Sequence, residues 1–81
     1  MIVRRSTHTL DVRGLACPLP LIRARRELAG LADGDTLVVL ATDPEAPIDL
    51  AALAADEGHA YADEDVDGVL RITLTKGAAG R

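Results

Sequence analysis

The apolar positions along the chain change their period several times, and each change marks an element. In residues 8–12, Leu10 and Val12 alternate with polar neighbours, which predicts a short strand closed by Arg13-Gly14. From Pro18 onward Leu21, Ala24, Leu28 and Leu31 recur at steps of three and four, while Arg23, Arg26 and Glu27 fall off that stripe, as in an amphipathic helix laid on a sheet. Gly30 or Asp33-Gly34 is placed to end it. The run Leu37-Val38-Val39-Leu40-Ala41 within residues 36–42 fits an interior strand, and strand-helix-strand order implies a right-handed parallel crossover. Asp43-Pro44 opens a loop. Pro47 suits the first position of a second helix running to about residue 57, with Gly58 as its stop and Leu50, Leu53 and Ala54 towards the sheet.

Residues 59–65 and 69–76 flank Val66-Asp67-Gly68, where Asp-Gly is a hairpin signal, and Leu70, Ile72 and Leu74 alternate with Arg71, Thr73 and Thr75. Residues 77–81 have nothing to pack against and are expected to fray. The order β-α-β-α-β-β predicts an α/β (α+β) two-layer sandwich: a mixed four-stranded sheet with two helices on one face and its other face partly open. Residues 1–81 read as a single domain, ordered from about residue 7 to 76, with no internal repeat or linker.

Composition narrows the function classes. A chain of 81 residues with 48% apolar content is enough for one domain. At this size only about 60% of the unfolded surface is buried, so the core is small. Tyr61 is the sole aromatic residue, which leaves almost no means of stacking on nucleic-acid bases. The formal charge of −4 also argues against nucleic acid or an anionic membrane. The charges are unevenly spread: Arg4, Arg5, Arg13, Arg23, Arg25 and Arg26 face only Asp11 within the first 26 residues, and the other twelve acids lie from Glu27 onward. Counted along the chain, the neighbourhood of Cys17 is basic. The longest apolar run, residues 50–55, is too short to span a bilayer, and the first residues lack a secretory-type apolar segment. With one cysteine and so no internal disulfide, the expected compartment is the cytoplasm.

That cysteine opens Cys17-Pro18-Leu19-Pro20 at the predicted start of the first helix. With Cys17 at the N-cap and Pro18 in the first helical position, both prolines remove N–H groups that have no helical partner, and those of Leu19 and Leu21 remain near the sulfur. A thiolate there is favoured by the helix dipole and by Arg13, so its pKa is expected to fall towards neutrality. A free cysteine is also often a small buried hydrophobe, but a strand-to-helix turn rarely buries side chains. His8 and His59 are isolated in sequence and read as half-exposed residues at strand ends; they provide neither metal-ligand spacing nor an oriented base for a cysteine hydrolase. Without a second cysteine there is no C-x-x-C redox cycle. What remains for this thiol is covalent chemistry shared with partner proteins.

The stretch HTLDVRGLACPLP, residues 8–20, resembles the signature L-D-x-x-G-x-x-C-P-x-P of the TusA-like (SirA-like) sulfur carriers, matching at Leu10, Asp11, Gly14, Cys17, Pro18 and Pro20. The resemblance continues through Ala41-Thr42-Asp43-Pro44, Asp49 and Asp67-Gly68, over roughly residues 7–76. It implies the fold derived above. It also implies that Cys17 accepts a sulfane sulfur as a persulfide from a cysteine desulfurase or rhodanese-type donor and passes it to an acceptor protein, with Asp11, Gly14, Pro18 and Pro20 as the supporting turn. No cofactor or metal is expected, and a carrier that shows its thiol to successive partners is expected to be a monomer. Leu19 departs from the Glu found there in tRNA-thiolation members, so tRNA thiolation, cofactor biosynthesis and sulfur oxidation all stay open as pathways. Leu15 and Leu19 make an apolar rim and Arg13, Arg23 and Arg26 a basic one, which suit docking onto an acidic partner. Two further readings are a regulatory module that binds protein or RNA through the open sheet face and first helix, and a thiol redox sensor.

Overall fold

A computed structural model describes residues 5–77 of the chain. Six elements follow in the expected order: β1 (Thr7–Asp11), α1 (Leu19–Ala29), β2 (Thr36–Ala41), α2 (Ala46–Glu57), β3 (Ala60–Val66) and β4 (Val69–Thr75). They build one four-stranded sheet of order β1-β2-β4-β3. β1 runs parallel to β2, and the β2–β4 and β4–β3 pairs are antiparallel.

Alternation along the strands decides which face is covered. Leu10, Leu37, Val39, Ala41, Ile72 and Leu74 point to one side and form a single buried cluster with Ala24 and Leu28 of α1 and Leu50, Leu53 and Ala54 of α2. Both helices therefore lie on the same face, as the periodicity predicts. In α1 the fully covered line is Pro20, Ala24 and Leu28, spaced by four, while Leu21 and Leu31 pack on its margin. The opposite face carries Thr9, Val38, Thr73 and Ala62 side by side in register, and Val38 is buried even without a covering helix.

The turns follow residue chemistry. Asp67 and Gly68, both at positive φ (53° and 85°), make the two-residue connection between β3 and β4. Gly58, left-handed at φ 77°, stops α2, and the His59 N–H reaches back to the Ala54 carbonyl at 2.8 Å. At Gly30, α1 ends differently, in a right-handed conformation, with i→i+3 bonds from Gly30 and Leu31 tightening its last turn.

Two expectations are corrected here. His59 is buried rather than half-exposed: its Nδ1 accepts the Gly77 N–H at 3.0 Å, and its Nε2 lies 3.2 Å from Glu57 Oε1, so the ring joins the end of α2 to the end of the sheet. The same bond anchors Gly77, which had been expected to fray; residues 78–81 of that expectation, and Arg4, lie outside the described residues. His8 is exposed as expected, 3.9 Å from Asp35.

Candidate functional site

Cys17 lies between the end of β1 and the start of α1, and residues from both sides of the crossover set its position. Beyond β1, the Val12 N–H continues the parallel pairing onto the Leu40 carbonyl. The chain then turns. Asp11 accepts the Arg13 N–H at 3.1 Å, its Nε at 2.9 Å and its Nη2 at 2.7 Å, a fork that folds the guanidinium back on the strand end. This pairing, led by the Arg13 side-chain bond, holds the Asp11 carboxyl down at about 2. Gly14 follows at φ 80°, a conformation that disfavours any Cβ, and its N–H donates to Thr42 Oγ1 at 2.9 Å. Asp11 and Gly14 both lie in this turn, one through its bonds to Arg13 and the other through its positive φ.

The helix starts one residue later than expected. Pro18, not Cys17, is the N-cap: its carbonyl accepts the first helical bond, from Ile22, and Leu19 is the first helical residue. Pro20 fills the second position and is buried against the sheet, while Cys17 stands outside the helix, joined to Pro18 by a cis peptide bond. The Cys17 N–H is taken by Asp43 Oδ2 at 2.6 Å, and the Leu19 N–H by the Ala16 carbonyl at 2.9 Å. Asp43 also accepts the Glu45 N–H at 2.9 Å, so one carboxylate ties the Cys17 loop to the entry of α2; those two bonds hold its own pKa low.

Cys17 is exposed, and the residues just before it help to line a shallow cleft of about 240 Å³ formed by Gly14, Leu15, Ala16, Thr42 and Asp43. A larger depression of about 500 Å³, lined by Ala62, Asp63, Glu64, Arg71 and Thr73, belongs to β3 and β4 alone and includes neither Cys17 nor the residues that bond to it. The Cys17 Sγ–H donates to Asp49 Oδ2 at 3.1 Å, from the first turn of α2. That hydrogen bond pushes the thiol pKa up, and partial desolvation and the negative charges of Asp49, Asp43 and Glu45 push it the same way.

The expected lowering of the thiol pKa, and the basic surroundings on which it partly rested, are both overturned. Arg13 is committed to Asp11, the Leu19 amide is already bonded, and the acids nearest the sulfur come from a segment more than 25 residues away in sequence. Arg26 lies in the last turn of α1, about 10 Å along the axis from Leu19 at roughly 1.5 Å per residue, and Arg23 is exposed one turn above the start. Leu15 is partly buried against the core. Among the described residues, Leu19 and Ile22 on α1 and Ile48, next to Asp49 on α2, are large apolar side chains left exposed. Asp43 and Asp49, the two residues that touch Cys17, carried no assigned role in the sequence reading; the only signal for them was that both sit in stretches shared with the sulfur carriers. Among the described residues no group of three or more His, Cys, Asp or Glu side chains is arranged to hold a metal ion.

A family model described as sulfurtransferase TusA matches residues 8–76. The chain belongs to the TusA family. Its relatives agree with that membership. A Neisseria meningitidis protein proposed to be a sulfur carrier is 46% identical over 70 residues, covering 85% of this chain and 95% of its own length. The sulfur carrier protein TusA of Allochromatium vinosum is 39% identical over 59 residues, 73% of this chain and 78% of its own. Among solved structures, a SirA-like protein from Desulfitobacterium hafniense superposes with a TM-score of 0.80 at 30% identity, covering 86% of this chain and 97% of the other. Among the described residues no helix is long and apolar enough to cross a membrane.

Proposed function

We propose that this protein is a sulfur carrier in which Cys17 receives a sulfane sulfur as a persulfide from a cysteine desulfurase or rhodanese-type donor and passes it to a thiol of an acceptor protein. The observation that carries this reading is an exposed thiol within the stretch that the TusA family model matches. Transfer between two protein thiols needs an attacking sulfur that a second sulfur can approach, and an open surface serves that better than a deep pocket. The raised thiol pKa weighs against the redox-sensor reading, since sensor cysteines oxidise as accessible, low-pKa thiolates.

The surface around the sulfur also revises the expected partner. With Asp43, Glu45 and Asp49 as the nearest charges and Leu19, Ile22 and Ile48 exposed, a partner that presents its cysteine on a basic, partly apolar surface fits better than an acidic one. Incubation with a cysteine desulfurase and cysteine is expected to add the mass of one sulfur atom to the protein, located at Cys17 and missing from Cys17→Ser. No adduct while the donor turns over would reject the reading.

A further inference from the structure

We propose that Asp49 is a positioning residue that biases Cys17 towards giving sulfur up, by holding the empty thiol as a hydrogen-bond donor and facing the loaded, anionic persulfide with a like charge. The inference rests on the carrier reading and concerns the direction of transfer at the same sulfur.

The geometry is specific to the empty state. The Cys17 backbone is pinned by Asp43, and the side chain spends its one proton on Asp49 Oδ2. A thiol can donate that bond; a sulfur carrying a second sulfur cannot, because the atom that held the proton now forms the S–S bond. Persulfides are more acidic than thiols, so the loaded form places negative charge among Asp49, Asp43 and Glu45, the charges that already act on this sulfur. Arg13, the cation nearest in sequence, is paired with Asp11. The empty form is stabilised and the loaded form is not.

The exchange itself balances without any oxidant or reductant. In loading, a lone pair on Cys17 Sγ forms a bond to the terminal sulfur of the donor persulfide. The donor's S–S bond breaks with its electron pair remaining on the donor cysteine, and the Cys17 proton is passed to that sulfur. In unloading, the acceptor thiol attacks the same terminal sulfur, the Cys17 Sγ–S bond breaks with its pair on Sγ, and the acceptor's proton restores the S–H that Asp49 accepts. Asp49 therefore opposes the first step and favours the second, and a basic donor surface that neutralises the acids on docking would ease loading without changing the bias of the free carrier.

The test uses glutathione persulfide, which has no docking surface. Wild type, Asp49→Asn, Asp49→Glu and Glu45→Gln are equilibrated with it at neutral pH, the loaded fraction is read by intact mass, and the iodoacetamide reactivity of the empty thiol is followed against pH. Asp49→Asn is expected to raise the ratio of loaded to empty protein severalfold and to move the alkylation midpoint to lower pH. Asp49→Glu should return both towards wild type, and Glu45→Gln, which removes a charge but no contact, should change both less. A purely structural role for Asp49 would leave the equilibrium ratio alone. An unchanged ratio in folded Asp49→Asn, verified by circular dichroism, overturns the role of Asp49 while leaving the carrier reading intact; no adduct on wild type from any persulfide source overturns both.

Discussion

Replacing Leu50 with alanine tests how the thiol's partner is held in place. Leu50 is fully buried and directly follows Asp49, so it anchors to the core the turn of α2 that carries the carboxylate. The truncation removes about three methylene equivalents from the core, worth roughly 2.4 kcal/mol at about 0.8 kcal/mol each. The gap lies between a helix and a sheet whose strands are fixed by their hydrogen bonds, so it collapses only in part. A residual cavity of about 50 Å³ adds roughly 1.2 kcal/mol at about 24 cal/mol per Å³. The expected loss is therefore about 3–4 kcal/mol. Domains of this size are stable by about 4–12 kcal/mol, at roughly 0.05–0.15 kcal/mol per residue, so the variant should fold at room temperature with a much smaller margin. At roughly 4–8 °C per kcal/mol, its Tm should fall by about 15–30 °C. Urea titration followed by circular dichroism measures the loss directly, with Ile48→Ala as the control: Ile48 is 64% exposed two positions before Leu50. An exposed apolar truncation of that kind should stay within about 0.5 kcal/mol. If Leu50→Ala costs less than about 1 kcal/mol, or no more than Ile48→Ala, the packing argument fails.

Three further outcomes follow. Gly14→Ala places its Cβ in open space, so the penalty is backbone strain alone, about 1–2 kcal/mol by urea titration; a loss above that would mean the turn is held by contacts the structure does not contain. The ends of the pH range test two shifted groups. Asp11, held down at about 2 by Arg13, contributes stability that is present above its unfolded value and lost as pH falls through about 2, and Arg13→Gln should return its carboxyl NMR midpoint to the ordinary range. Tyr61 is raised by burial and by Asp63, so its contribution is present below the ordinary tyrosine value and lost as pH rises above it. As the sole aromatic residue it can be followed by ultraviolet absorbance, and ionisation at the same pH in native and urea-unfolded protein would contradict this.

Short-range pattern carried a great deal. Strand, helix and hairpin signals are properties of a few consecutive residues, so Asp67-Gly68, the apolar run of β2 and the stop at Gly58 were legible before any coordinates. The place of Cys17 at a strand-to-helix turn was legible for the same reason, and the motif around it pointed to the family. Where local reading slipped, a long-range bond had intervened. The Cys17 amide, at the helix entry, bonds to Asp43, 26 residues further on, and the buried His59 ring accepts the Gly77 N–H.

The sequence by itself determined the order of the elements, which faces are apolar, and where the chain's one thiol sits, because each depends on residues adjacent in the chain. Only the tertiary structure decided the charge that this thiol meets. Electrostatic interaction falls off with distance through space, so among the described residues the arginines near Cys17 in sequence count for less than three acids that the parallel crossover brings to its sulfur from residues 43–49.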